Sequence, residues 1–202
     1  MKRLMAAVVA SLVGVGIIFS APPAMADDDG PTIRELLDEC DDGTDYCEFR
    51  PDGPAELFTT DSKMVGDEVY NCTSSDQNMT VEWSDTTSQS NSVGVSLRTE
   101  VGFGKIFAVA YEQSYNRTWT NEHTESQSTS VSTEPGEVGW VERRAQMQRI
   151  EGTYEMHFED AFYGHYVWYV PFTVEGPVPD ATEEVITQNV RDMTDAELEQ
   201  CS

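Results

Sequence analysis

Three histidines, His123, His157 and His165, are the residues from which a general base or a metal ligand set could be built. Two of them bracket the run HFEDAFYGH (157–165), which also holds Glu159 and Asp160. Their eight-residue separation matches no local zinc motif. A hydrolytic centre needs a nucleophile, a base and an orienting acid, and no GxSxG turn is present to supply the first. The loop CDDGTDYC (40–47) has the acid density of a calcium loop without the EF-hand order of ligands. No glycine-rich phosphate loop follows a predicted strand. The histidines are therefore expected to be ordinary strand and loop residues. No catalytic, metal or cofactor site is expected, and the chain is read as a non-enzymatic binding or assembly protein.

The cysteines carry a different chemistry. Cys40, Cys47, Cys72 and Cys201 include no CxxC pair and have no neighbouring histidine, which sets zinc aside. An even number in an exported chain reads as two disulfides, with three possible pairings. The short turn between Cys40 and Cys47 favours joining those two, which leaves Cys72–Cys201.

Export is itself expected from the sequence. Lys2 and Arg3 precede an apolar run from Leu4 to Phe19, and Ala24-Met25-Ala26 follows. This is the pattern of a secretory signal peptide cleaved after Ala26. The run is short for a membrane anchor, and Pro22-Pro23 break it. The secreted remainder has 10 basic and 37 acidic residues, a net charge of −27. Such a surface repels nucleic acid and anionic lipid and suits high-salt solubility or a basic protein partner.

Elements that could position a binding surface fall into three parts. Residues 27–66 form an acidic segment, with 13 acids against Arg34, Arg50 and Lys63. Its prolines and sparse apolar residues predict an extended segment that orders on a partner. One helix is expected at TIRELLDEC, where Thr32 and Glu35 make a capping box. Within the segment, Cys40, Asp41, Asp42, Asp45, Tyr46, Cys47 and Phe49 are the candidate partner-binding residues. They offer a rigid loop, aromatic anchors and steering acids.

Residues 67–179 read as an antiparallel β-body. VYNCTS and MTVEW are predicted strands around the turn SSDQ. SVGVSLRTEVGF alternates strictly, with Val93, Val95, Leu97, Val101 and Phe103 on one parity, and predicts another strand. GKIFAVAYEQSYNRTW is expected to continue it, with Val109, Tyr111, Tyr115 and Trp119 on one face. Residues 112–134, EQSYNRTWTNEHTESQSTSVSTE, predict a solvated β-ribbon held by Ser/Thr cross-strand pairs. HYVWYVPFTVEG is the most apolar strand and is expected to be core. Residues 180–202 switch to a helical tail, with Asp180 as one cap and Thr194 with Glu197 as a second capping box. The fold class is mainly β, an elongated antiparallel sheet protein with an extended N-terminal segment and a short C-terminal helical tail.

VYNCT (69–73), MTVEWSDTTSQSNSVG (79–94), TWTNEHTES (118–126), GEVGWVERRAQMQRIEGTYEMHF (136–158) and YGHYVWYVPF (163–172) together resemble a family of secreted actinobacterial proteins with an aerolysin-like β-body. These are the adaptor components of umbrella toxin particles. The resemblance covers most of residues 46–201 and brings no catalytic motif. It implies a non-enzymatic adaptor that links a secreted trypsin-fold lectin subunit to a large spoke-and-stalk toxin subunit. It implies action of the particle against competing bacteria, and an N-terminal extension that enters a cleft of the lectin subunit.

The competing expectation is an aerolysin-like pore-forming toxin, whose spanning strands need apolar outward positions. Residues 120–130, TNEHTESQSTS, have none, and Glu122 and Glu125 fall on opposite parities. A carboxylate would face lipid in either register, which disfavours membrane insertion of this stretch.

Overall fold

The computed structural model describes residues 30–178 and 181–202. The expected signal peptide (1–26), Asp27 to Asp29 and the expected cap Asp180 lie outside the described residues. In chain order the elements are α1 (Ile33–Asp38), β1 (Tyr46–Pro51), β2 (Glu56–Thr59), β3 (Lys63–Tyr70), β4 (Gln77–Ser88), β5 (Ser90–Asn91) and α2 (Gly102–Tyr115). There follow β6 (Glu122–Thr133), β7 (Glu137–Arg144), β8 (Gln146–Phe162), β9 (His165–Pro177), β10 (Val185–Asp192) and α3 (Asp195–Gln200).

The chain is mainly β, and every strand pair is antiparallel. One sheet runs β1-β8-β9-β5, with β2 also on β8. A second runs β10-β7-β3, and β4-β6 form a two-stranded ribbon. The 17-residue β8 reaches over about 55 Å at ordinary strand rise.

Two cores follow from this layout. The larger sits where α1 and α2 cover the inner face of the first sheet. It holds Leu36, Leu37, Phe49, Phe107, Tyr111, Trp119, Tyr154 and Phe172. Most of its rings meet edge to face or tilted: Phe49 lies 5.3 Å from Phe107 and 4.9 Å from Tyr154 between centroids, while Phe107 and Tyr111 stack. Such pairs add to area burial. Gly152 belongs to this packing, because a Cβ there would meet Phe49 Cζ at 2.4 Å. The smaller core joins the base of the ribbon to the second sheet through Val65, Val81, Trp83, Val131 and Val141.

The acidic segment is built into the body. Leu36 and Leu37 of α1 are buried, β1 and β2 both pair with β8, and β3 runs through residue 67. The capping box at Thr32 and Glu35 forms as expected. That at Thr194 and Glu197 forms too, with Arg191 bidentate to Glu197 at 2.8 Å. Arg191 first, then the Thr194 backbone and hydroxyl, lower the Glu197 carboxyl to about 2.

Two predicted elements differ. Residues 93–101 are irregular and 102–115 are helix rather than strand. Phe103, Ile106, Phe107, Ala110 and Tyr111 recur at three- and four-residue spacing in the same stretch where Val101, Phe103, Phe107, Val109 and Tyr111 alternate. The helix lets Phe107 and Tyr111 both reach Trp119, at 5.0 and 5.1 Å. Asn116 ends α2 in the left-handed region, at φ 53°. In the tail, Val185–Asp192 is strand β10 rather than helix, because its β-branched residues pair along β7 from Arg144 to Glu137. Among the described residues of the tail, only Asp195–Gln200 is helical.

The ribbon matches its expectation from residue 122 onward. One face carries hydroxyl pairs, Ser84–Ser126 at 2.9 Å and Thr86–Thr124 at 2.8 Å. The other carries Met79–Val131 and Val81–Thr129 at the base, then Asp85–Glu125 and Thr87–His123. At the junction of ribbon and second sheet lies Arg143, whose side chain is 1% exposed. Its Nη1 donates to Asp85 at 2.7 Å and to Thr87 Oγ1 at 3.1 Å, and its Nη2 donates to Glu184. Lys63 Nζ reaches Asp85 at 2.5 Å. Burial pushes the Asp85 carboxyl up, but Lys63 and Arg143 outweigh it and hold it below the usual value.

Both expected disulfides are present. Cys40–Cys47 closes the acidic turn. Cys72–Cys201 ties the turn after β3 to the C-cap of α3 across 129 residues.

Candidate functional site: a disulfide loop beside an open strand edge

The seven candidate binding residues gather at one end of β1, in two roles. Cys40 and Cys47 clamp the turn, with Cα atoms 5.5 Å apart. Closing so short a loop removes about 2 kcal/mol of unfolded-chain entropy. Asp41, Asp42, Asp45 and Tyr46 are exposed on it. Phe49 differs from the expectation of an exposed aromatic anchor. It is only 2% exposed and fills the core. Its work is to fix β1 and so the loop that precedes it. Phe49→Ala is expected to cost about 3–5 kcal/mol, a typical core Phe→Ala loss. Urea unfolding followed by tryptophan fluorescence measures it.

Tyr46, Glu48 and Arg50 alternate onto the outer face of β1. Arg50 bridges Glu48 at 2.9 Å and Glu155 at 2.6 Å. The Tyr46 hydroxyl donates to Glu48, and its ring lies 4.9 Å from that of His157. That hydrogen bond raises the Tyr46 hydroxyl pKa; together with Arg50 it lowers that of Glu48. These charges satisfy one another across the face and brace the strand.

Beside β1 runs a groove of about 740 Å³. One wall is β1 with Cys40 and Asp41, the other the flank of α2 bearing Lys105, Ile106, Val109 and Ala110. Four of the seven candidates, Cys40, Asp41, Cys47 and Phe49, line it, while Asp42, Asp45 and Tyr46 do not. The α2 wall went unseen in the sequence because that stretch also fits a strand.

A second surface was also missed. Val170, Phe172 and Val174 of β9 are core as expected, but Tyr166, Val167 and Tyr169 are exposed, as is Tyr163 at the hairpin turn. The strand runs past the end of the core, so its apolar alternation outlasts what it can bury. The three histidines sit apart from one another in function. His157 Nε2 lies 2.8 Å from Glu155, the His165 ring packs on Trp168, and His123 lies on the ribbon.

No family model and no curated protein matches this chain. Among solved structures it is similar to the parasporin-2 Bacillus thuringiensis toxin that recognizes cancer cells, at 14% identity over 74% of each chain, with a TM-score of 0.31. It is also similar to the Cry23Aa1 and Cry37Aa1 binary protein complex, at 13% identity over 82% of this chain and 89% of that one, with a TM-score of 0.30.

Proposed function

We propose that the chain is a secreted, non-enzymatic adaptor that works by holding partner proteins, through the acidic end of β1 and its disulfide loop. The observation that carries this reading is the joining of two features. A covalently clamped loop presents Asp41, Asp42 and Asp45 to solvent, and an open groove runs alongside it. The overall charge supports a basic partner surface steered to that end. The resemblance of 46–201 to umbrella-particle adaptors supplies the finer form. One partner is then a trypsin-fold lectin subunit and the other a large spoke-and-stalk toxin subunit, in a particle directed at competing bacteria.

The test is purification of the tagged protein from the culture supernatant of its producer under native conditions. A hetero-complex containing a trypsin-fold subunit and a large subunit is expected. The variant D41N/D42N/D45N, which removes charge from exposed positions, is expected to recover about tenfold less of the first, since charge pairs at an interface are worth one to several kcal/mol. Recovery of the chain only as a homo-oligomeric ring that releases dye from liposomes would overturn the reading in favour of a pore former.

A further inference from the structure

We propose that the groove receives an extended segment of the partner, which adds to the first sheet as a strand antiparallel to β1 and carries basic residues at its C-terminal end. This rests on the adaptor reading above and specifies its mode of contact.

The backbone dictates the geometry. β1 lies at the edge of its sheet and pairs with β8 alone. The Asp52 N–H donates to Glu151 O at 2.9 Å, next in register after Pro51 and Gly152. Backbone direction alternates along a strand. Tyr46, Glu48 and Arg50 therefore turn their amides to β8, while Cys47, Phe49 and Pro51 turn theirs to the groove. Cys47, half-buried, and Phe49, only 2% exposed, each direct an N–H and a C=O there, and Pro51 a C=O only. No strand pairs with that edge among the described residues.

Edges are often blunted by charge and proline, and β1 has Glu48, Arg50 and Pro51. Glu48 and Arg50 both line the groove, but their charges are engaged with each other and with Glu155. The helix that could cover the edge stands off from it and leaves the groove. The α2 flank from Gly102 to Ser114 runs about 18 Å and the strand from Cys47 to Pro51 about 13 Å. A segment of five or six residues fits between them. Side chains on its inner parity meet Ile106 and Ala110, with half-exposed Val109 open to them.

Charge fixes the occupant and its direction. The loop end of β1 carries Asp41, Asp42 and Asp45, with Asp38 of α1 nearby in sequence, all exposed. An antiparallel strand brings its C-terminal end there, so basic residues at that end complement the acids. A second copy of this chain, itself strongly acidic, is a poor occupant by the same measure.

The probe is a synthetic heptapeptide of alternating Val and Thr ending in Lys-Arg, titrated into the full secreted chain by fluorescence anisotropy. Amide exchange is followed by NMR. Binding is expected to protect the Cys47 and Phe49 amides and leave those of Glu48 and Arg50, already bonded to β8, unchanged. N-methylation of the two peptide amides facing β1 is expected to weaken binding about tenfold, as loss of two backbone hydrogen bonds implies. A Glu-Glu ending should weaken it comparably. Val109→Trp, which fills the groove from an exposed position, should abolish binding with thermal stability kept, and Glu112→Trp off the groove should not. No binding, or binding that protects other amides, overturns the strand-addition proposal. A hetero-complex recovered with Cys47 and Phe49 still unprotected leaves the adaptor reading standing and removes this one. Peptide binding without any hetero-complex does the reverse.

Discussion

Replacing Cys72 and Cys201 together by serine is expected to lower the unfolding free energy by about 5 kcal/mol, the chain-entropy value for so long a loop. The span of 129 residues sets that size. The crosslink joins the turn after β3 to the cap of α3, and β3 and β10 flank β7 in one sheet. Without it that sheet holds its two edges by backbone pairing and a small core alone. At about 2–4 °C per kcal/mol for a chain of this length, the melting temperature should fall by about 10–20 °C. Circular dichroism of the double variant measures it. The Cys40/Cys47 double serine variant is the internal comparison, since its seven-residue loop is worth only about 2 kcal/mol. Equal shifts for the two variants would contradict an entropic origin.

The second large effect centres on Arg143. Arg143→Met removes one side of a buried pair and is expected to cost about 3–5 kcal/mol, because the partners keep their charge where water is scarce. Asp85 would retain Lys63, while Glu184 would lose its guanidinium. The cost should depend on pH with a definite sign. The Asp85 pKa is lowered in the folded protein, so its contribution is fully present above the ordinary carboxylate value of about 4. It is lost as pH falls through the lowered folded value. The gap between native protein and variant should therefore be widest near neutrality and narrow below about pH 4. Urea titrations at pH 7 and at about pH 2.5 decide it, and a gap independent of pH would place the loss in packing rather than charge. The triple replacement of Arg143, Asp85 and Glu184 by apolar residues of similar volume should recover much of the stability, as buried pairs replaced whole often do.

What the sequence disclosed about this molecule is whatever is encoded locally. Thr32 with Glu35 and Thr194 with Glu197 each fix a helix start within four residues, and both form. The alternation of Ser and Thr through 122–133 fixes a two-faced strand, and its hydroxyl pairs form. Cysteine spacing sufficed for both crosslinks. What escaped is what the rest of the chain decides. Val101, Phe103, Phe107, Val109 and Tyr111 satisfy a two-residue period, while Phe103, Ile106, Phe107, Ala110 and Tyr111 satisfy a helical one. The inner face of β1, β8 and β9 needs a cover, and the helix supplies one with Phe107 against Phe49 and Phe172. The groove was hidden for the same reason, since one of its walls is that helix. Phe49 illustrates the limit at a single residue. An aromatic in an acidic, proline-broken segment looks like an exposed anchor until β8 is laid beside it.

The ribbon of β4 and β6 has a consequence for how this architecture can vary. Its buried residues, Val81, Trp83, Thr129, Val131 and Thr133, lie toward the end that meets the second sheet, while its other end, at Ser88 and Glu122, continues into β5 on β9 and to Trp119 of the larger core. Inserting one matched hydroxyl pair with its neighbours, two residues on each strand, would keep the face parity but lengthen the span between those ends by about 7 Å and carry Asp85 and Thr87 away from Arg143. The ribbon is thus a brace of fixed length between the two cores, and its length cannot change without the body changing with it.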